Sequence, residues 1–161
     1  MSQIPDGAQR VAAQLAERGH PHEVVMLPVT GRTAADAAIA LGVKLGQIAK
    51  SIVFRRKSDD AAVLVVTSGD LRVDEKKVSG LVGRIVRADA EFVKAATGFS
   101  IGGVSPVALT TPPVMLVDRE LFRFEQVWAA AGHPFAVFLL SPDELVELTG
   151  APVEDVVATS R

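Results

Sequence analysis

Two short segments hold the residues best equipped for chemistry. One is a single lysine just ahead of an apolar run, in Gly46-Gln-Ile-Ala-Lys50-Ser51-Ile-Val-Phe54; the other is a glycine-rich stretch, Gly98-Phe-Ser-Ile-Gly102-Gly103-Val-Ser105-Pro106. An ammonium is a compact positive charge with three donors. The peptide N–H groups of Gly102 and Gly103 have no side chain to shield them, so a loop stiffened by Pro106 can bring them close to an oxyanion or a carbonyl oxygen. The chemistry such groups offer is stabilisation of negative charge as it develops. Each segment also has a plainer reading: a lysine at a strand edge is commonly just solvated, and a Gly/Pro-rich stretch is commonly just a turn.

Other chemistries lack their residues. There is no cysteine, which excludes disulfides, thiolate metal sites, redox motifs and a cysteine nucleophile. No His-Glu-x-x-His, Gly-x-x-x-x-Gly-Lys-Ser/Thr or Gly-x-Gly-x-x-Gly occurs, removing the common zinc-protease, nucleoside-triphosphatase and dinucleotide readings. The three histidines, His20, His22 and His133, are scattered and make a poor metal set. Gly103-Val-Ser105-Pro106 looks superficially like a serine-hydrolase elbow, but its closing glycine is missing. Pro106 also has no N–H where that fold draws an oxyanion donor, so Ser105 is a poor nucleophile.

Bulk properties narrow the class further. With 161 residues, 48% of them apolar, the chain can bury a core without metals or staples, and a single domain over residues 1–161 is expected. The formal charge of −2 argues against coating duplex nucleic acid, DNA included, an affinity that comes from neutralising many phosphates at once, while a local contact with a nucleic-acid end stays open. The start Met1-Ser-Gln-Ile-Pro-Asp-Gly lacks a basic, apolar leader and no run reaches membrane-spanning length, so a cytoplasmic protein without a membrane partner is expected.

The elements that must position these residues can be read from periodicity and punctuation. Ile4, Ala8, Val11, Ala12, Leu15 and Ala16 fall at helical spacing before Gly19. His22 to Leu27 reads as a strand. Thr33 can cap a helix that Gly42 ends. Ser51 to Phe54 and Ala61 to Thr67 are β-branched runs joined by a charged link, and they read as paired central strands. Acid-led, glycine-ended helices are predicted near Asp74 to Val82 and Asp89 to Thr97, with a small strand at Arg84 to Arg87 between them. Strands follow at Val114 to Asp118, near Val127 to Ala130 and at Phe135 to Leu140. Ser141-Pro-Asp-Glu144 then sets a capping box for a last helix ending at Gly150, and the tail beyond it is expected to be partly loose. Helix and strand alternate irregularly, which points to an α+β fold with helices around a mixed sheet.

The two chemical segments, taken together with Arg32-Thr-Ala-Ala-Asp-Ala-Ala38, Asp74-Glu-Lys-Lys77, Asp118 and Gly132-His-Pro134 ahead of the Ser-Pro-Asp-Glu-Leu145 helix, are recognisable. The chain resembles the YbaK/EbsC family and the related editing domain inserted in bacterial prolyl-tRNA synthetases, over roughly residues 21–150. The family's Lys-Ser/Thr motif falls on Lys50 and Ser51, and its Gly-x-x-x-Pro loop on Gly102 to Pro106. Where relatives commonly continue that loop with Gly and often His, this chain has Ala108 and Leu109, a departure that bears on pocket shape.

The resemblance implies a strongly curved mixed sheet and an aminoacyl ester on the terminal ribose of tRNA as substrate, an activated bond that needs positioning and charge stabilisation more than a powerful nucleophile. It implies Lys50, Gly102 and Gly103 as the catalytic groups. Thr33, Ser51, Ser105, Pro106, Asp118 and His133 follow as pocket residues, although Thr33 is equally a helix cap and His133 equally a turn residue. Water or the neighbouring ribose hydroxyl would attack, and no metal or cofactor is implied. The partners implied are the aminoacylated tRNA acceptor end, proline tRNA carrying a small wrong amino acid first among them, and prolyl-tRNA synthetase. Two other readings are carried alongside: a noncatalytic module holding a tRNA end beside a synthetase, and a hydrolase of some small ester or amide unrelated to tRNA.

Overall fold

The computed structural model describes residues 4–28 and 33–158; Arg32, part of the family likeness, lies outside them. Its centre is an antiparallel pair, β2 (Ile48–Arg56) and β3 (Ala62–Ser68), in register from Ala49 opposite Ser68 to Arg55 opposite Ala62. β3 runs parallel to β5 (Val114–Asp118), which runs parallel to the short β8 (Val153–Glu154). On its other side β2 meets two different strands. β6 (Val127–Ala130) pairs in parallel at Ile48 and Ala49 only, and β4 (Ile85–Arg87) pairs antiparallel at Phe54 to Arg56. β6 continues to β7 (Ala136–Leu140), and β7 to β1 (Val25–Met26). The sheet is therefore mixed and the fold is α+β, as its irregular element order predicts.

Consecutive residues of β3 feed different faces, which explains why that run is apolar throughout rather than alternating. Leu64 and Val66 join a cluster with Ala49, Val117, Phe99 and Phe138, against which helix α1 (Asp6–Glu17) lays Ala8, Val11 and Leu15. Val63 and Val65 join Phe54, Leu116 and Val156 on the opposite face, covered by Val78 of α3 (Glu75–Val82).

The helix boundaries follow local chemistry. Thr33 caps α2 (Ala34–Leu41) by accepting from the Asp36 N–H at 3.0 Å, and Gly42 ends it at φ 70°. Asp74 and Asp89 cap α3 and α4 (Ala90–Thr97), and Ser141 and Glu144 form the reciprocal capping box of α5 (Pro142–Thr149). Two expectations need correction. The strand predicted from His22 to Leu27 shrinks to β1, because an exposed edge next to β7 offers only two paired positions. The described part of the tail beyond Gly150, residues 151–158, is held, not loose: β8 joins the sheet, Val157 bridges Val73, and both Val156 and Val157 are buried.

Candidate active site

Lys50 sits on β2 just past the last position paired with β6. It is partly buried, and among the described residues its amine has no hydrogen-bond or ion-pair partner. Burial pushes its pKa below that of an ordinary lysine; the positive charge of Arg72 pushes the same way, and Asp70 opposes them. The next residue, Ser51, has a buried hydroxyl that also lacks a partner. Buried polar atoms without partners are uncommon in folded proteins, and each marks a place where a ligand or water can bind.

Two adjoining cavities open on these residues. The larger, about 990 Å³, runs along β2 from Lys50 to Phe54 and is completed by Asp70 to Val73, Arg87, and Ile101, Gly102 and Val104 of the glycine-rich loop. The smaller, about 200 Å³, has mostly small apolar walls, Ala34, Ala37, Ala49, Ala130 and Ala136, with Trp128 and Thr33. Lys50, Ser51, Gly102 and Val104 line both, so they stand where the two meet.

The loop's geometry separates its two glycines. Gly102 has φ 95°, a backbone that favours glycine, and among the described residues its N–H has no hydrogen-bond acceptor. Gly103 donates its N–H to Ser100 O at 2.9 Å, closing a turn. A Cβ there would lie 2.8 Å from the backbone of His133, so this glycine is required for close packing. Only the Gly102 N–H is thus left to meet a substrate.

The remaining residues implied by the resemblance divide. Thr33 lines the smaller cavity while capping α2, so both of its readings hold. Ser105 is buried, its hydroxyl accepting from the Val107 N–H. Pro106, with Ala108 and Leu109, lines a separate depression, so the departure from the family loop lies away from Lys50. Asp118 is buried and accepts from the backbone N–H groups of Glu120 and Val156. His133 accepts from the Phe135 N–H within its turn, and it is Pro134 beside it that reaches the smaller cavity. Ser105, Pro106, Asp118 and His133 line neither of the two cavities.

Three arginines were not legible as site residues. Arg10 of α1 donates to Gly98 O at 3.1 Å and to Ala108 O, and its guanidinium lies over the Phe99 ring at 4.4 Å, so it ties both ends of the glycine-rich loop. Arg72 and Arg87 reach the larger cavity from segments that carry no motif. Arg55 and Arg56, which the sequence places in the charged link, are the last two residues of β2 and pair with Asp60 and Asp59. Among the described residues no group of three or more His, Cys, Asp or Glu is placed to hold a metal, and no helix is long and apolar enough to cross a membrane.

The aminoacyl-tRNA editing domain model matches residues 29–148. A crystal structure of a candidate trans-editing enzyme for prolyl-tRNA synthetase superimposes with a TM-score of 0.92 at 42% identity, covering 98% of this chain and 100% of the other. The uncharacterized protein YwhH of Bacillus subtilis (strain 168) is 33% identical over 144 residues, 89% of this chain and 91% of its own. The proline–tRNA ligase of Thermoanaerobacter sp. (strain X514) is 28% identical over 112 residues, 67% of this chain and 19% of the ligase. A match across most of the length, on a shared fold, means that this chain belongs to the aminoacyl-tRNA editing domain family, the YbaK-like relatives of the domain inserted in prolyl-tRNA synthetases.

Proposed function

We propose that the protein is an aminoacyl-tRNA deacylase acting in trans in the cytoplasm. Its substrate is a mischarged tRNA, first of all proline tRNA carrying a small non-cognate amino acid, and prolyl-tRNA synthetase is its functional partner. The observation that carries this reading is that Lys50, Ser51 and Gly102 line both cavities. An ester placed there has its aminoacyl group in the small alanine-walled cavity and its ribose in the larger one.

The reaction needs little from the protein beyond placement and charge. Water adds to the ester carbonyl carbon, and the carbonyl oxygen becomes an alkoxide beside the Lys50 ammonium and the Gly102 N–H. Collapse breaks the bond to the ribose oxygen, which takes a proton and leaves as the free terminal hydroxyl. No side chain lining the junction is an obvious general base, which leaves the neighbouring ribose hydroxyl, supplied by the substrate, as the nearest proton relay. The cavity of about 200 Å³ limits the amino acid by size, and a difference of one methylene there is worth about 1–3 kcal/mol of discrimination.

The test is a panel of tRNAs of several identities, each charged with several small amino acids. The protein is expected to release amino acid from at least one mischarged pair, and Lys50→Ala to lower that rate by about 10²–10³-fold, the effect of losing one oxyanion-stabilising group. Wild-type turnover in Lys50→Ala would sink the site. Binding across the panel without turnover would sink the reaction in favour of a noncatalytic module.

A further inference from the structure

The larger cavity has features that ester chemistry does not use. Lys57 N–H donates to Arg84 O toward β4, whereas Arg56 N–H donates to Ala61 O toward β3. Peptide groups of alternate residues face opposite sides of a strand, so Ser51 and Val53, which share the parity of Lys57, face the β4 and β6 side. No strand lies there between Ala49 and Phe54, although the Phe54–Arg87 pairing turns the Val53 C=O toward the Ala88 N–H at the end of β4. The N–H and C=O of Ser51 and the N–H of Val53 therefore border the larger cavity as bare strand edge.

The charges around that edge are unbalanced toward positive. Arg72 and Arg87 are exposed, line the cavity, and have no ion-pair partner among the described residues. Of the two acids on the same rim, Asp70 is taken by Arg123 at 3.0 Å, and Glu75 is left. A chain of net charge −2 thus carries a local basic groove. Ile101, 59% exposed on the same wall, adds an apolar surface against which a base can pack.

We propose that this groove is a track for the unpaired 3′ strand of a tRNA, with Arg72 and Arg87 holding backbone phosphates and the bare edge at Ser51 and Val53 meeting polar edges of base and ribose. This rests on the reading of Lys50 and Gly102 as the site that receives the terminal ester. Single-strand grooves combine tracked positive charge with surfaces for bases. A peptide strand added to the same edge is disfavoured by its length: between Ala49 and Phe54 there is only about 17 Å of strand, closed at both ends by β4 and β6. Unpaired arginines are also better matched to phosphates than to a peptide backbone.

The experiment is anisotropy of a 5′-labelled single-stranded RNA ending in CCA, titrated with protein at several salt concentrations. Arg72→Ala and Arg87→Ala are each expected to weaken binding several-fold at low salt and to flatten the slope of log K against log salt by about 0.7, one phosphate contact on a single strand. Arg84→Ala, exposed but outside the cavity, serves as control and is expected to bind as wild type. With mischarged tRNA the two variants raise KM and leave kcat nearly unchanged, the mark of lost uniform binding. Wild-type affinity and slope in both variants would overturn the track even if the protein deacylates. Binding through both arginines by a protein that never deacylates would uphold the track and overturn the proposed reaction.

Discussion

A lysine that must work as a cation gains from being half out of water, because its charge is then less screened where the substrate sits. The same burial, with Arg72 adding to it, lowers the pKa of Lys50 and so lowers the pH at which the ammonium is lost. If the ammonium is the working form, kcat falls on the alkaline side earlier than an ordinary lysine would make it fall. Arg72→Gln removes the second cause and leaves the first, so this limb is expected to move to higher pH but not the whole way to the ordinary lysine value. The measurement is kcat against pH, corrected for spontaneous ester hydrolysis with Lys50→Ala; a limb that stays put or moves down would show that Arg72 does not act on the amine. Lys50 and Gly102 were legible in the sequence because a charged residue entering an apolar run and a glycine pair before a proline are local signals. Arg72 and Arg87 were not: one is an ordinary charged residue in the connection between β3 and α3 and the other ends β4, and only the gap between β4 and β6 brings them to the same cavity as Lys50.

The elements were legible wherever one residue type decides an end. Thr33, Asp74, Asp89 and Ser141 cap where they were expected to, and Gly42, Gly98 and Gly150 terminate helices in the left-handed region. Partnership was not legible, because pairing is decided by distant residues: the β6 contact with β2 joins positions about eighty residues apart, and nothing local to either strand announces that it stops after two residues. The glycine-rich loop shows the same limit. Its glycines could be read, but what holds it is Arg10, on a helix nearly a hundred residues earlier, reaching Gly98 O and Ala108 O from one guanidinium. Arg10→Ala is expected to cost about 2–3 kcal/mol, since hydrogen bonds to a charged donor are worth more than neutral ones. Because it frees the loop that carries Gly102, it is also expected to lower kcat among the molecules still folded. Arg10→Lys keeps the charge without the planar fork, so it should recover only part of either loss. Urea titrations read the first effect and turnover per folded molecule the second; full activity in Arg10→Ala would mean that Gly102 is placed without this clamp.

At the scale of the whole molecule, the C-terminal segment couples the far side of the sheet to the rim of the groove. Val156 N–H donates to Asp118 at the end of β5, Val156 O accepts from Asp74 N–H, and Ala158 N–H donates to Arg72 O, the backbone of a groove residue. Lys77 adds an ion pair to Asp155 at 3.0 Å and a hydrogen bond to Val157 O at 2.8 Å. Motif likeness placed Asp118 in the substrate pocket; in the fold its carboxylate is buried as the anchor of this segment. Burial is the largest influence on its pKa and raises it above the ordinary carboxylate value, against the two backbone donors that lower it. The folded protein therefore binds more protons at this site than the unfolded chain does between the two pKa values, and ∂ΔG/∂pH is negative there. The stability this group contributes is complete below the unfolded pKa and declines as pH rises through the folded one. Asp118→Asn, which removes the titration and leaves one of the two N–H donors facing an amide, is expected to destabilise by about 1–3 kcal/mol, more in acid than at neutral pH, with turnover per folded molecule retained. Paired urea titrations of the two proteins from acid to neutral pH isolate this term, since the other carboxylates cancel in the difference. A cost that instead grew toward neutral pH would mean that the fold holds Asp118 by its charge. A loss of turnover at full stability would return it to the substrate.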